Sequence, residues 1–345
     1  DRVFVVASTT APATPAEVIV SGGLLSTTNE LSVGFDATLE VTDAGTADGP
    51  ASAGASAQFD NYGLVTLTDT SRIDSNTLFD FGTLAITSAL ADVGTMEVAS
   101  FDDPGGGPES GSLDIAGGGS LTDTLGIIGN SQTDDSAVTL TGGNWDNLQL
   151  LIGSAAAATV SVSNDSTVTV GGGFTVVAQV PEALGVGEGV FGTGGLQPGH
   201  GTLSVDGVGS RVSVTGDVAI GHGGAGFVTL ANGGLLDASG SLDAANGTGS
   251  SAAITVTGGG ALFQIGAGAT VGDSGAATLT VDSGGSFTVA DSLDVAASAG
   301  SSGFIVIVGG LLTVAADARL GDGGDGSRTL SAGGTVQIIG TLTEG

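Results

Sequence analysis

The sequence has no cysteine, no lysine and few aromatic residues, and each shortage excludes a class of protein. Without cysteine there are no disulfide bridges, no thiolate metal ligands and no cysteine nucleophile. Five arginines stand against 36 acidic residues, so the formal net charge is −31. A nucleic-acid partner requires clustered basic side chains, and an anionic membrane surface would repel this charge, so we expect neither partner.

Long apolar runs are missing as well. A membrane-spanning helix needs about 20 consecutive apolar residues, and no segment of the sequence comes near that length, so we expect no membrane insertion. The chain starts at Asp1 without a recognisable signal peptide, and we expect such a peptide to have been removed before this residue. A cysteine-free composition rich in Gly, Ser, Thr and Asp favours the exterior of a bacterial cell.

What the sequence does contain is a repeat of about 25 residues, a period within the range of solenoid proteins. Each copy has a short strand of alternating apolar residues, then a glycine-rich turn, then two further short apolar strands. A fixed period with such alternation inside it is typical of a solenoid. The residues that take the same place in the first strand of successive copies recur at an almost constant spacing: Leu203, Val228, Ile254, Leu279, Ile305 and Leu330.

The second and third strands form two more apolar columns in constant phase, running through residues such as Phe263 and Leu293. Alternate residues of a strand point to opposite faces, so the apolar columns face inward and Ser, Thr and Asp face outward. An antiparallel sandwich or barrel would need hairpin turns and would not keep three columns in phase. The sequence therefore predicts an all-β fold: a parallel β-helix (β-solenoid) of about 25 residues and three short strands per coil, right-handed as parallel crossovers are.

The pattern continues towards the N-terminus with less regularity, and three stretches depart from it. Residues 1–16 consist of an apolar strand and a Thr/Ala/Pro tether, and residues 43–58 are expected to form a surface loop. Residues 179–200 are expected to project as an insertion from one corner, because this coil is about 18 residues too long. We therefore predict a single solenoid over residues 17–345.

The repeat resembles that of a known class of surface protein. Residues 201–221 have the pattern x-[LIV]-x-V-x-x-x-G-S-x-[VF]-x-V, and residues 275–295 are a near copy of it. On these units, residues 113–345 resemble the passenger repeats of bacterial autotransporters and related surface β-helices. The resemblance implies a β-helix displayed at a bacterial cell surface. It selects no activity, because that group includes adhesins, proteases and structural fibres.

The sequence offers little for catalysis. β-Helices that cleave polysaccharides need paired carboxylates near a base, with Arg or Lys on one face. The pairs Asp102/Asp103 and Asp134/Asp135 are sequence neighbours, which point to opposite faces of a strand. With no lysine and one tryptophan, a sugar cleft would lack its cation and its stacking platform. We expect no enzymatic activity and no organic cofactor.

Metal binding has one candidate site. Residues 321–326 read Gly-Asp-Gly-Gly-Asp-Gly, which suggests a Ca²⁺ contact through Asp322 and Asp325, with Asp273 in the matching corner one coil earlier as a third ligand. Solvated corner aspartates are the alternative, since calcium rolls use tandem nine-residue repeats. The two histidines, His200 and His222, lack a third ligand for zinc.

Self-association is the function that the two ends of the sequence favour. Unpaired strand edges at the ends of a solenoid recruit other chains. At one end lies a detached apolar strand on a tether, and at the other a coil without a cap. This favours a non-enzymatic structural subunit of an extracellular or cell-surface fibre that polymerises head to tail. The residues expected to meet are Val3, Phe4, Val5, Val6, Val336, Ile338, Ile339 and Leu342.

Two alternatives remain open from the sequence. A monomeric adhesin would bind surface glycans or other cell-surface proteins through a discrete patch, with residues 179–200 as the candidate. A carbohydrate-active β-helix would need an acidic cleft with a metal ion or a base on one face.

Overall fold

The computed structural model describes residues 2–5, 16–26, 30–34, 36–48, 58–99, 110–129, 135–153, 157–171, 184–186, 190–192, 195–197 and 199–345. Every regular element in these ranges is a β-strand. No helix within them is long and apolar enough to cross a membrane. Contacts divide the chain into two compact units, Asp1–Asn147 (unit 1) and Leu148–Gly345 (unit 2), at a boundary that the sequence alone does not mark.

Unit 1 consists of coils whose strands stack in parallel. The first strands of its coils are, in order, β2 (Ala16–Ser21), β5 (Ala37–Thr42), β8 (Leu64–Leu67), β10 (Thr83–Thr87), β12 (Ser112–Ala116) and β15 (Ser136–Thr141). The second and third positions are filled by β1 (Arg2–Val5), β3 (Leu24–Ser26), β4 (Glu30–Val33), β6 (Thr46–Asp48), β7 (Gln58–Asn61), β9 (Arg72–Asp80), β11 (Leu90–Val98), β13 (Ser120–Thr122), β14 (Leu125–Ile128) and β16 (Asn144–Asn147).

Unit 2 repeats the same three positions with greater regularity. Its first strands are β18 (Ala157–Ser163), β23 (His200–Asp206), β26 (Ala225–Ala231), β29 (Ser251–Thr257), β32 (Ala276–Asp282), β35 (Ser302–Val308) and β38 (Asp325–Ser331). Its second strands are β19 (Thr167–Val170), β24 (Arg211–Val214), β27 (Leu235–Ala238), β30 (Leu262–Ile265), β33 (Ser286–Val289), β36 (Leu311–Val314) and β39 (Thr335–Ile338). Its third strands are β17 (Gln149–Ile152), β20 (Leu184–Val186), β25 (Val218–Ile220), β28 (Leu242–Ala244), β31 (Ala269–Val271), β34 (Leu293–Val295), β37 (Ala318–Leu320) and β40 (Leu342–Glu344).

Each strand of unit 2 pairs in parallel with its counterpart in the next coil, as β26 does with β29 and β29 with β32. The register places Ala225 beside Ser251 and Ser251 beside Ala276, which reproduces the spacing of the sequence repeat. These pairings confirm the predicted parallel β-solenoid with three strands per coil. The right-handed coil stays a prediction.

The core of unit 2 lies inside the coils, where the three apolar columns meet. Leu203, Ile254 and Leu279 are at most 1% exposed, as the alternation in their strands predicts. The largest of these side chains, Phe263 and Phe287, are fully buried and contact each other edge to face, with ring centroids 5.2 Å apart. The predicted second and third columns pair residue for residue as far as Val336, Ile338 and Leu342.

Two kinds of corner alternate before the first strands of unit 2. Corners 221–224 and 272–275 have four residues, whereas corners 245–250 and 296–301 have six. The short corners begin with Gly221 and Gly272, whose φ angles are +74° and +80°. A Cβ on Gly221 would clash with the carbonyl oxygen of Ser251 in the next coil, so a side chain is excluded there.

The last coil differs by two residues from the register that the sequence predicts. The sequence spacing places Leu330 beside Ile305, but the structure pairs Ile305 with Arg328 and Ile307 with Leu330. The step from Ser302 to Asp325 is therefore two residues shorter than the step from Ser251 to Ala276, which also ends in a four-residue corner. The cause is corner 309–310, which has two residues where corner 258–261 has four.

Two stretches that the sequence assigns to loops contain solenoid strands. Residues 43–58 include β6, which pairs in parallel with β3 and β9. Residues 179–200 include β20, which pairs in parallel with β25 and so completes a coil of unit 2. The insertion therefore begins only after Val186, and it contains the antiparallel pair β21 (Val190–Gly192) and β22 (Gly195–Gln197). Strands of three residues carry too little alternation to be recognised in the sequence.

Candidate functional site

The coil at residues 325–344, here called the open coil, is the clearest candidate site. Its strands β38, β39 and β40 pair with β35, β36 and β37, and no other strand of the described part pairs with their opposite edges. Leu330 and Leu342 take inward positions but are 50% and 36% exposed, whereas Ile307, the neighbour of Leu330 one coil earlier, is fully buried. The open coil thus presents core side chains to solvent.

Two inward positions of the open coil carry opposite charges. Arg328 stacks on buried Ile305, and Glu344 stacks on buried Leu320. The Arg328 guanidinium lies 3.4 Å from the Glu344 carboxylate, so an ion pair lies across the end of the apolar columns. The coil that the sequence predicts to lack a cap therefore carries a charged pair among its inward residues. Because both side chains are partly exposed, the pair contributes little to the stability of the isolated chain.

Four of the predicted self-association residues belong to the C-terminal coil. Val336 and Ile338 face inward in β39, and Leu342 does so in β40. Ile339 follows β39 in the next corner and is 67% exposed. These four residues do lie together in the open coil.

The predicted N-terminal strand is not detached. Val3, Phe4 and Val5 belong to β1, which pairs in parallel with β4 of the same chain, and Val6 lies outside the described residues. One hydrogen-bonding edge of β1 is therefore occupied within unit 1. The sequence instead predicts that this strand meets a neighbouring molecule. The register places Val3 beside Leu31 and Val5 beside Val33, two buried residues of β4.

The structure does not assemble the predicted calcium ligands. Asp273 and Asp322 lie in corners 272–275 and 321–324, two coils apart rather than one, because corner 296–301 lies between them. Coils stack about 4.8 Å apart, so this offset approaches about 10 Å. The Asp273 carboxylate accepts hydrogen bonds from the hydroxyls of Ser274 (3.3 Å) and Ser298 (3.4 Å), and Asp325 is exposed at the start of β38. Within the described ranges, no three acidic or histidine residues form a group that could hold a metal ion.

The remaining residues singled out from the sequence do not form a site. His200 begins β23, and His222 lies in corner 221–224. Asp102, Asp103 and Asp134 lie outside the described residues, and Asp135 is exposed.

Every arginine whose side chain the structure describes is paired with a carboxylate. Arg211 contacts Asp237 in the next coil at 2.8 Å, and Arg319 contacts Asp294 in the preceding coil at 3.0 Å. Arg72 pairs with Asp74 and with Asp92. Arg72–Asp74 lies within β9, and the pairs of Arg72 with Asp92, Arg211 with Asp237 and Arg319 with Asp294 join one coil to another. The described arginines therefore contact carboxylates of the solenoid rather than forming a patch for an anionic ligand.

A pair of turns in unit 1 escaped the sequence analysis. Asn61 and Asp80 occupy inward positions and are fully buried, and the Asn61 Nδ2 donates to the Asp80 Oδ1 at 2.8 Å. Each side chain also accepts a hydrogen bond from the backbone N–H two residues on, at Gly63 and Gly82. The sequence signal for these turns is the repeated motif [Asn/Asp]-[Tyr/Phe]-Gly at 61–63 and 80–82. Asn and Asp side chains fix tight turns by bonding to the backbone two residues on.

Aromatic rings stack outside these two turns. Tyr62 and Phe81 are parallel with centroids 4.9 Å apart, and Phe79 lies nearly parallel to Phe81 at 6.2 Å. In such a stack the ring faces cover each other. The rings therefore support the corner and are poorly placed as a stacking platform for a sugar or a cation.

Three carboxyls of unit 1 have a raised pKa because they are buried. Burial raises the pKa of Asp80 to about 8, against the lowering effect of the Asn61 and Gly82 hydrogen bonds. Burial also raises the pKa of Asp123 to about 8, although Trp145 donates to its carboxylate at 3.0 Å. The pKa of Asp60 rises to about 6, mainly through burial and further through the charge of Glu30. Each of these carboxyls accepts a hydrogen bond from a neighbouring side chain of unit 1.

Comparison with family models, with curated proteins and with solved structures gives no match to this chain.

Proposed function

We propose that this protein is a non-enzymatic structural solenoid that self-associates end to end in a fibre outside a bacterial cell. The observation that carries the proposal is the exposure of core side chains in the open coil. Burying an apolar side chain of the size of Leu330 is worth about 1.5–3 kcal/mol. A second copy stacked on the open coil would bury Leu330 and Leu342 together with Val336 and Ile338.

The first coil of unit 1 supplies a complementary surface. Val18 and Val20 of β2 alternate inward and pair with buried Leu39 and Val41 of β5. In the described part of the chain β2 pairs only with β5, so its other edge is open to a parallel strand. Placing β38 of one copy on β2 of the next, with β40 taking the place that β1 holds on β4, would continue both the backbone hydrogen bonds and the apolar columns. Repeated contacts of this head-to-tail kind build open filaments.

Salt should promote this association. Each copy carries a net charge of −31, and screening shortens the range of that repulsion to about 8 Å at physiological ionic strength. We expect electron microscopy and sedimentation to show filaments one solenoid wide that lengthen as salt rises. A chain that remains monomeric at every salt concentration would overturn the proposed function.

The charges of the open coil give a sharper test. In the filament, Arg328 and Glu344 become a buried ion pair, which is often less stable than an apolar pair of similar volume. The double variant Arg328→Leu/Glu344→Leu should therefore associate roughly tenfold more tightly, measured by sedimentation velocity over a dilution series. Arg328→Ala alone should weaken association, because it leaves Glu344 buried without its partner.

A matched control is available on the side of the solenoid. The double variant Arg211→Leu/Asp237→Leu removes an ion pair of similar exposure that lies away from the open coil. It should leave end-to-end association unchanged. Equal effects of the two double variants would show that charge alone, and not the contact at the open coil, governs association.

A monomeric adhesin is the second candidate, and the hairpin β21–β22 favours it. These two strands pair with each other and leave the stack of coils, and insertions on solenoids often form the binding face. Replacing residues 187–199 with the four residues of corner 221–224 should then abolish binding to surface glycans or cell-surface proteins while leaving the solenoid folded. A replacement that changes association but not surface binding would speak against the adhesin.

A further inference from the structure

One face of unit 2 differs in chemistry from the rest of this acidic chain. It consists of the outward residues of the seven first strands from β18 to β38, and we call it the neutral face. Apart from His200, its uncharged side chains are Ala, Ser, Thr, Val and Phe, and its three charges are Asp206, Asp282 and Asp325. Each of these three lies at the first or last residue of its strand. The middle of the face therefore carries no charge.

Two phenylalanines project from the neutral face. Phe227 and Phe304 are each 43% exposed. They belong to one outward column, in which the register runs from Phe227 through Ala253 and Thr278 to Phe304. The two smaller residues between them leave a shallow recess, and the phenylalanines on either side lie three coil spacings, about 14 Å, apart.

The other two faces of unit 2 carry charges within their strands. Arg211 and Asp237 point outward from the second strands as an ion pair, and Asp243, Asp294 and Arg319 point outward from the third strands. A partner bound to either of those faces would have to cover these charges. Charge depletion at the centre with charge at the rim is the usual anatomy of a protein interface. Among the three faces, the neutral face alone combines that pattern with exposed aromatic side chains, which are common anchors of interfaces.

We propose that the neutral face binds the neutral face of a second copy of this chain. A two-fold axis running along β29 reverses the order of the coils and keeps each column opposite itself. Ala253 then faces Ala253 of the second copy, Phe227 faces its Thr278, and Phe304 faces its Thr202. Each aromatic ring thus meets a small side chain, and all seven strands overlap.

The size of the neutral face suits a stable dimer. Seven strands at about 4.8 Å and seven residues at about 3.3 Å give a face of roughly 34 Å by 23 Å. This area is close to the about 800 Å² per partner of a standard interface. The pairing is lateral and uses outward residues, so it does not rest on the end-to-end contact proposed above.

Cysteine cross-linking tests the two-fold arrangement, because the natural chain contains no cysteine. Packed sheets lie about 10 Å apart, too far for a direct disulfide but within reach of a short bismaleimide. Ala253→Cys on the axis should cross-link to a covalent dimer. The control is Thr313→Cys, an outward half-buried position on β36 away from the face, which should stay monomeric. Equal cross-linking at the two positions would overturn the proposal.

The phenylalanines test the contact energetically. Threonine already fills their column at Thr202 and Thr278, so Phe227→Thr/Phe304→Thr should fold normally. We expect about a tenfold rise in the dimer dissociation constant for each Phe removed, measured by sedimentation equilibrium, and loss of the Ala253→Cys cross-link. Val208→Thr is the control, because Val208 is 80% exposed in a corner away from the face.

Three outcomes would refute the lateral pairing. The first is a Leu330→Asp chain, whose open coil is blocked but whose neutral face is unchanged, that stays monomeric at high micromolar concentration. The second is a dimer that survives loss of both phenylalanines. The third is a monomer that sediments with an insoluble polysaccharide through Phe227 and Phe304, which would assign the face to a glycan. Failure of the open-coil variants alone would refute the end-to-end contact and leave this pairing standing.

Discussion

Replacing Phe263 with alanine is expected to lower the free energy of unfolding of unit 2 by about 3–5 kcal/mol. Phe263 is fully buried and contacts Phe287 edge to face at 5.2 Å. Its removal takes away the transfer free energy of the ring, the aromatic contact and the close packing of the column, because the stacked backbone cannot collapse into the cavity. Urea unfolding followed by far-UV circular dichroism measures the loss, since the single tryptophan lies in unit 1.

Two further variants show whether the loss comes from the core. Phe263→Leu introduces the residue that already fills this column at Leu236 and Leu312, and we expect it to cost about 1–2 kcal/mol. Phe304→Ala removes an exposed ring and should change the stability of the dilute chain by at most about 0.5 kcal/mol. If Phe263→Ala costs no more than Phe304→Ala, the inward column of the second strands is wrongly assigned.

Raising the pH from 4 to 8 is expected to destabilise unit 1, and Asp80 is a principal cause. Its pKa is about 8 in the folded chain and 3.8 when unfolded, so between these values the folded state holds one more proton. Stability therefore falls as pH rises, by about 1.4 kcal/mol per unit for this group. Below pH 4 both states hold the proton, and above pH 8 neither does, so the contribution is constant outside the window.

The variant Asp80→Asn isolates this effect. Its amide keeps an oxygen for the Asn61 and Gly82 hydrogen bonds but does not titrate. The difference in stability between the variant and the wild type should grow in favour of the variant from pH 5 to pH 8. Fluorescence of Trp145, which is buried in unit 1, follows the transition.

An exposed carboxyl of another strand provides the control for this experiment. Glu17→Gln changes an exposed side chain of β2 and leaves Asp80 in place, so the fall in stability from pH 5 to pH 8 should persist. Parallel curves for Asp80→Asn and the wild type would contradict the assignment of Asp80 as a protonated core residue.

The regular part of the fold can be predicted from the sequence because the alternation of inward apolar and outward polar residues repeats in every coil there. In the second and third strands of unit 2, apolar residues keep the inward positions around Phe263 and Leu293, and the pairing agrees at every step. In the first column, the predicted pairing is wrong only at Leu330. That failure has a local cause, since a corner can lose two residues at Gly309 and Gly310 without changing the apolar pattern on either side.

The candidate sites were less accessible to sequence reasoning, because they depart from the rule that reveals the fold. Arg328, Glu344 and Asp80 take inward positions, where alternation predicts apolar residues. A charged residue in a strand is read as outward, and only the register of neighbouring coils shows otherwise. The neutral face was hidden for the opposite reason, since a row of Thr and Ala resembles any solvent-facing strand until its residues are compared with the charged residues in the strands of the other two faces.

The alternation of corners has a consequence for how this protein can change length. Each short corner packs against the residue that follows the next long corner. Gly221 lies against Ser251, which follows corner 245–250, and Gly272 lies against Ser302, which follows corner 296–301. Excising residues 225–275 would remove two whole coils and still leave a short corner followed by a long one. Excising residues 225–250 would set two short corners in succession, and excising residues 251–275 would set two long ones in succession. In this part of unit 2 the repeating unit is therefore a pair of coils, and we expect engineered variants that gain or lose a whole pair to keep the corner contacts.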